Sequence, residues 1–159
     1  MKNSLRHVLL WSAALMITLG ACGGEQTSGD ATTSEEAVVD VKLGTVTVTE
    51  LKAITDQDAD TWVMDVRSPE EYRAVHATVV KQLIVHTEMS QNRSALPADK
   101  DAPIYLICRS GRRSKIAGEE MITFGYTNVF NVLGGTTDWV KEGFPTETGS
   151  GILEDPQGS

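Results

Sequence analysis

Short apolar runs alternate with segments of helical pattern through the middle of the chain, and this alternation limits the fold more than any other feature. Runs of this kind, rich in Val, Ile and aromatic side chains, are typical of buried strands. Strands that alternate with helices form a mostly parallel sheet covered on both faces. The sequence therefore predicts an α/β domain. The predicted strands are residues 45–48, 61–66, 83–85, 103–107 and 129–133, and the predicted helices are residues 50–54, 88–95, 113–124 and 137–141, with one more that begins after Ser68.

The start of that helix is specified by four consecutive residues, Ser68-Pro69-Glu70-Glu71. Ser68 is suited to the N-cap, Pro69 to the first helical position, and Glu71 to closing a capping box with Ser68. We therefore expect Glu71, together with Asp65 and Arg67, to cap and brace a strand-to-helix turn rather than to act as an acid–base group.

The amino-terminal residues have the features of a secretory signal. Lys2 and Arg6 precede an apolar run over residues 8–19. The run is too short to span a bilayer, which takes about 20 apolar residues. The run ends in Leu19-Gly20-Ala21-Cys22, which resembles the lipobox of bacterial lipoproteins, whose cysteine is acylated. An ordinary secreted protein cut near Ala21 is the alternative.

These features predict the organisation of the chain and its location. We expect a signal peptide over residues 1–21, a lipidated Cys22 and flexible tether over 22–40, one domain over 41–148, and a loose tail over 149–159. The lipid would attach the protein to a membrane of the cell envelope. The domain would face the periplasm in a cell with two membranes, where Gly23 favours the outer membrane, and the exterior in a cell with one.

Charge and cysteine content restrict the function further. The formal net charge of −8 leaves no basic footprint for nucleic acid, so any site for an anion must be built locally. Cys22 and Cys108 are the two cysteines of the sequence, and lipidation of Cys22 would leave Cys108 without a disulfide partner. A lone thiol in an oxidising compartment is expected to be either buried or used. We expect a monomer, and the sequence contains no zinc-like cluster or phosphate-binding glycine loop that would indicate a metal or cofactor.

Cys108 lies at the point where a predicted strand ends and a tight loop begins. In open α/β sheets this carboxyl edge is where ligands bind. Backbone N–H groups of the loop and the dipole of the following helix would favour a thiolate over a thiol. The loop is Cys108-Arg109-Ser110-Gly111-Arg112-Arg113, in which Gly111 provides a turn and three arginines add positive charge.

Three motifs in this order resemble those of the rhodanese family, over roughly residues 45–147. Asp65-Val66-Arg67-Ser68-Pro69-Glu70-Glu71-Tyr72 with His76 resembles the first signature, and the Cys108 loop resembles the active loop. The closing segment is matched by Gly125-Tyr126-Thr127-Asn128-Val129-Phe130, Leu133-Gly134-Gly135, Trp139 and Gly143-Phe144-Pro145.

The resemblance implies a five-stranded, mainly parallel sheet and a sulfurtransferase. Cys108 would take the outer sulfur of an anionic donor such as thiosulfate as a persulfide and pass it to cyanide or a thiol, either a small molecule or a thioredoxin-like protein. By position, Arg109, Ser110, Gly111, Arg112 and Arg113 would bind the donor and the persulfide. No cofactor is implied.

Two other functions remain open at this stage. A phosphatase or arsenate reductase of related fold has five residues between its cysteine and arginine, whereas here the sixth residue after Cys108 is Ser114. A domain of this kind could also serve as a redox-sensing or partner-docking module, because an accessible thiolate suits that use too. The segment from Val75 to Val80 lacks the family's usual glycines and proline, so we expect it to take a different backbone path or to tolerate less favourable dihedral angles. His76 is expected to be structural.

Overall fold

The computed structural model describes residues 41–153, so the predictions for the signal peptide, Cys22 and the tether lie outside the described residues. Within 41–153 no helix has both the length and the apolar character to cross a membrane. The strands are β1 (Gly44–Thr47), β2 (Trp62–Asp65), β3 (His76–Ala77), β4 (Gln82–Leu83), β5 (Ile104–Ile107), β6 (Val129–Leu133) and β7 (Thr146–Glu147). The α-helices are α1 (Val48–Gln57), α2 (Pro69–Ala74), α3 (Arg112–Thr123) and α4 (Gly135–Lys141), and short 3-10 turns span Arg93–Ala95 and Gly151–Leu153.

Five strands form one sheet in the order β1-β6-β5-β2-β4, and every neighbouring pair is parallel. The predicted α/β fold with a five-stranded sheet flanked by helices is confirmed. Strand β5 lies at the centre, between β6 and β2. The carboxyl ends of these three strands therefore surround the residue that follows Ile107, which is Cys108.

The core has two layers, one on each face of the sheet, because side chains alternate along a strand. Ile104 and Leu106 of β5 pack with Ala117 and Met121 of α3. Tyr105 and Ile107 of β5 face the opposite layer with Leu51 of α1, Tyr72 of α2 and Trp139 of α4. Cys108 continues the alternation and belongs to the α3 layer.

Helix α2 begins as the sequence predicts. Ser68 is its N-cap, Pro69 opens the helix, and Ser68 and Glu71 form a reciprocal capping box. The buried Arg67 side chain pairs with the buried Asp65 carboxylate, Nη2 to Oδ2 at 2.6 Å, and also donates to the carbonyl oxygens of Glu71 and Val75. The Asp65–Arg67 pair thus fixes the carboxyl end of β2 to the last turn of α2.

The prediction of a helix over residues 88–95 is wrong. The segment contains turns and a single 3-10 turn over Arg93–Ala95. Its Ser and Asn side chains compete for backbone hydrogen bonds, and Asn92 Nδ2 donates to the Glu88 carbonyl oxygen at 2.8 Å. Pro97 follows closely and restricts the backbone of the residue before it.

The segment after α2 takes a path that the sequence did not predict. His76 and Ala77 form β3, which pairs antiparallel with β7 in a separate two-stranded sheet. The chain then turns through a hydrogen bond from Val80 N to Ala77 O at 3.1 Å, without the family's usual glycines and proline. The buried His76 ring stacks on Tyr72 at 3.8 Å between centroids and contacts the Tyr72 carbonyl oxygen through Nδ1. Gly149 N donates to Arg73 O, so contacts with α2 extend beyond Thr148.

Candidate active site

Cys108 lies at the bottom of a cavity of about 460 Å³ at the carboxyl edge of the sheet. The residue is only 1% exposed. The loop carries it from the end of β5 to the start of α3, so the backbone N–H groups of the helix start lie next to the sulfur. The cavity is lined by Glu71, Cys108, Arg109, Ser110, Arg112 and Arg113.

Hydrogen-bond donors surround the Cys108 sulfur. Gly111 N lies 3.1 Å and Ser114 Oγ 3.3 Å from Sγ. Burial by itself raises the pKa of the thiol, but the Ser114 hydroxyl and the backbone N–H groups of Ser114, Ser110 and Gly111 outweigh it, so the net pKa is lowered from the ordinary value of 9.0. A sulfur in this loop is therefore held as a thiolate more readily than a free cysteine would be.

The start of α4 holds the carbonyl groups of the loop away from the sulfur. Cys108 O accepts from Thr136 N at 2.8 Å and from Thr136 Oγ1 at 3.2 Å, and Arg109 O accepts from Thr137 N at 3.0 Å. Since adjacent carbonyl and N–H groups point in opposite directions, these bonds help to direct the loop's N–H groups inward. Gly111, with φ of +99°, completes the turn in a conformation that favours glycine.

Gly135 permits this close approach. A Cβ atom at this position would lie 2.2 Å from Cys108 O and 2.8 Å from Ser110 N, and the residue has φ of +56°. Any side chain would therefore push the loop away from α4. The glycine belongs to the active-site scaffold although it never faces the cavity.

The three arginines of the loop have different surroundings. Arg113 forms a two-pronged ion pair with Glu71 of α2, at 2.6 Å for both N–O contacts. The Arg113 guanidinium lowers the pKa of Glu71 from 4.5 to about 2. Arg109 and Arg112 are exposed at the cavity, and neither has a carboxylate partner within the part of the chain that the structure describes. They are the loop cations that remain available to an anion.

The structure brings five of the six predicted loop residues to the lining of one cavity: Cys108, Arg109, Ser110, Arg112 and Arg113. The sixth, Gly111, is buried and reaches the site only through its N–H on Cys108 Sγ. Sequence reasoning missed Glu71 as a cavity residue, Ser114 as a donor to the sulfur, and the buried Asn131, whose Oδ1 lies 2.7 Å from Ser114 Oγ. The signal for Ser114 was its position at the helix start directly after the loop, and the signal for Asn131 was a polar residue on the core face of a strand. Across residues 41–153, no group of three His, Cys, Asp or Glu side chains could hold a metal ion.

The fold and the site define a class of protein: a parallel α/β domain with a cysteine among backbone N–H donors at the end of its central strand. The chain matches the model of the rhodanese-like domain over residues 47–142, and it therefore belongs to the rhodanese-like family. Its relatives include proteins named sulfurtransferases.

Three comparisons illustrate the relationship. YrkF of Bacillus subtilis is 32% identical over 118 residues, which are 74% of this chain and 57% of that protein, so the match spans little more than half of its length. The thiosulfate sulfurtransferase GlpE of Pseudomonas entomophila is 34% identical over 92 residues, 58% of this chain and 81% of GlpE. The solution structure of the rhodanese-like domain of an Anabaena protein has a TM-score of 0.59 at 21% identity, covering 74% of this chain and 88% of that one, a likeness of fold alone.

Proposed function

We propose that this protein transfers sulfane sulfur through a persulfide on Cys108. The observation that carries the proposal is the buried Cys108 Sγ, which accepts from the Gly111 N–H and the Ser114 hydroxyl in a cavity that Arg109 and Arg112 also line. Such a ring stabilises negative charge on sulfur, which is what a nucleophile and leaving group in sulfur transfer requires. The relatives named sulfurtransferases give independent support.

In the first half-reaction the Cys108 thiolate attacks the outer sulfur of an anionic donor such as thiosulfate. A bond forms between Sγ and that sulfur, the bond to the sulfonate sulfur breaks, and its electron pair leaves with sulfite. Arg109 and Arg112 attract the doubly charged donor against the net charge of −8 of the whole chain. Backbone N–H groups of the loop then hold the negative outer sulfur of the persulfide.

In the second half-reaction a thiolate or cyanide attacks the outer sulfur. The bond from Sγ to that sulfur breaks, and its electron pair returns to Sγ as the thiolate. Gly111 N–H and Ser114 Oγ–H donate to Sγ and so stabilise the leaving group. A small thiol or a thioredoxin-like protein is the proposed acceptor, and no cofactor takes part.

The contact between Arg113 and Glu71 favours sulfur transfer over phosphate or arsenate chemistry. In those rival reactions a loop arginine must bind the oxyanion directly. The Arg113 guanidinium is instead occupied by the Glu71 carboxylate, whose negative charge also lines the cavity. For phosphate or arsenate the central atom of the oxyanion would have to reach Cys108 Sγ inside the loop, close to that carboxylate. Thiosulfate presents only its outer sulfur to the N–H groups of the loop, and its sulfonate group can stay outside near Arg109 and Arg112.

Steady-state kinetics test the proposal. With thiosulfate and cyanide varied together, sulfite release should give parallel double-reciprocal plots, because sulfite leaves before the acceptor reacts. Cys108→Ser should abolish turnover, while Ser90→Ala, at an exposed position away from the cavity, should not change it. Intersecting lines, or turnover in the Cys108→Ser protein, would contradict the persulfide route.

We also propose that the protein is a lipoprotein of the cell envelope, anchored through Cys22. The residues Lys2 and Arg6, the apolar run 8–19 and Leu19-Gly20-Ala21-Cys22 support this. Full-length protein expressed in bacteria with labelled palmitate should carry the label in the membrane fraction. Cys22→Ser should lose it, whereas Cys108→Ser, the matched control at the other cysteine, should retain it. Label that persists in the Cys22→Ser protein would overturn the anchoring proposal.

A further inference from the structure

Ser114 has one hydroxyl proton and two acceptors within reach. Its Oγ lies 3.3 Å from Cys108 Sγ and 2.7 Å from Asn131 Oδ1. A hydroxyl carries a single donor hydrogen, so it cannot give a full, well-aligned hydrogen bond to both at once. All three side chains are buried, with Ser114 at 0%, Cys108 at 1% and Asn131 at 4% exposed, so water does not readily take the place of either acceptor.

Asn131 occupies a core position on β6, the strand beside β5. It is paired in register with Leu106 and lies on the same face as Val129, where an apolar side chain would otherwise pack. Buried polar side chains at such positions are retained with a hydrogen-bond partner, and the partner here is the Ser114 hydroxyl. The fold therefore places an amide oxygen next to the donor that also serves the reactive sulfur.

We infer that Asn131 is a positioning residue for sulfur transfer, because it is the alternate acceptor to which the Ser114 hydroxyl turns when Cys108 carries a sulfur and from which it returns when that sulfur leaves. The inference deepens the proposed persulfide function and rests on it. No proton is transferred; one hydrogen bond changes its acceptor.

The charge on Sγ drives this exchange. In the empty enzyme Sγ is a thiolate, and a charged acceptor attracts the hydroxyl more strongly than a neutral amide does. In the loaded enzyme Sγ is an uncharged bridging atom bonded to carbon and sulfur, and the negative charge lies on the outer sulfur. The hydroxyl then donates to Asn131 Oδ1, which keeps a buried donor paired in the loaded state.

The two side chains should therefore act on Cys108 with opposite signs. Ser114→Ala removes a donor from the thiolate, so the pKa of the thiol should rise and discharge of the persulfide should slow ~10-fold, because Sγ leaves with less stabilisation. Asn131→Leu, close in shape, removes the competing acceptor, so the hydroxyl stays on Sγ, the pKa of the thiol should fall, and discharge should accelerate. In the Ser114→Ala background, Asn131→Leu should have no further effect on the pKa.

The experiment measures the pH dependence of Cys108 alkylation in the full chain for wild type, Ser114→Ala, Asn131→Leu and the double variant, with Cys22 replaced by Ser in all four. The charged groups around the sulfur, Arg109, Arg112, the Arg113–Glu71 pair and the Asp65–Arg67 pair, are the same in every protein. Asn128→Leu, just before the opposite end of β6, is the matched control and should leave the pKa unchanged. Asn131→Asp keeps an acceptor at the site and should raise the pKa.

Opposite shifts for Ser114→Ala and Asn131→Leu would support the inference. A pKa of the Cys108 thiol that rises or does not change in the Asn131→Leu protein would overturn the inference. General loosening of the loop would raise this pKa, because it weakens the hydrogen bonds to sulfur. Alkylation needs no sulfur donor, so this result is independent of the proposed function. Single-turnover loading with thiosulfate and discharge with cyanide tests the function itself. Failure to load would overturn the proposed function, whereas the alkylation experiment would still show whether Asn131 affects the pKa of Cys108.

Discussion

Glu71 shows how one residue can serve a helix and a cavity together. Its backbone N–H and its carboxylate complete the capping box with Ser68, as the sequence pattern predicts. The same carboxylate binds Arg113, which lies 42 positions later in the chain. The capping role was predictable because its partners are three residues apart, whereas the contact with Arg113 depends on α2 and α3 starting beside each other at one sheet edge.

The depressed pKa of Glu71 predicts a pH-dependent contribution to stability. Because the folded-state pKa of about 2 lies below the ordinary 4.5, the contribution should be complete above pH 4.5 and be lost as the pH falls toward 2. Glu71→Gln, which can still close the capping box, should lower the free energy of unfolding at neutral pH by less than about 1 kcal/mol, since the pair is partly exposed. Urea unfolding from pH 7 to pH 3 measures the difference.

The difference between wild type and Glu71→Gln should shrink below pH 4.5. Glu70→Gln is the matched control for loss of one negative charge from the first turn of α2 without loss of the Arg113 contact. If the difference in free energy of unfolding between wild type and Glu71→Gln stayed constant down to pH 3, the ion pair with Arg113 would not be its source.

At the scale of elements, the sheet was the predictable part and the connections were not. Four of the five predicted strands coincide closely with β1, β2, β5 and β6, because buried strands of a parallel sheet read as short apolar runs. The helix predicted over 88–95 is absent because local polar hydrogen bonds compete with it. The β3–β7 pair was not foreseen because each strand pairs with a partner about 70 residues away. The contact of the loop with α4 also joins distant segments and leaves only the Gly134-Gly135 pair as a trace in the sequence.

The junction of the Cys108 loop with α4 makes a prediction that a pair of glycines can test. Gly135→Ala would drive a Cβ into the backbone at Cys108 O and should displace the loop, raise the pKa of the thiol and reduce sulfur transfer by about 100-fold. Gly134→Ala is the matched control: it also has a positive φ, +76°, but its Cβ would meet Asp138, with Oδ2 at 2.0 Å and Cβ at 2.7 Å, and not the backbone of the Cys108 loop. It should lose stability by roughly 1–2 kcal/mol while the thiol remains reactive.

Alkylation rates and thermal unfolding of the two glycine variants separate the effects. Equal losses of thiol reactivity in Gly134→Ala and Gly135→Ala would contradict this prediction. They would show that the loss comes from backbone strain at a positive φ and not from the broken contact between the loop and α4.

At the scale of the whole molecule, an acidic protein carries a locally basic cavity around Cys108. The formal net charge is −8, yet Arg109 and Arg112 meet at the cavity where the positive end of α3 and the inward N–H groups also converge. The fold gathers these groups at the carboxyl end of its central strand, so the site is locally positive in a chain of negative net charge, as the proposed anionic donor requires. The sequence revealed the cysteine and the loop because they are contiguous, but not the ion pair or the hydrogen bonds that arrange them.

The most direct test of sulfur transfer through Cys108 is the intact mass of the purified domain before and after thiosulfate, with Cys108→Ser treated in parallel. The proposed persulfide route predicts a gain of about 32 Da, one sulfur atom, that disappears on addition of cyanide and never arises in the Cys108→Ser protein. No gain in a protein whose Cys108 still reacts with peroxide would contradict sulfur transfer from thiosulfate and would favour a redox or docking role.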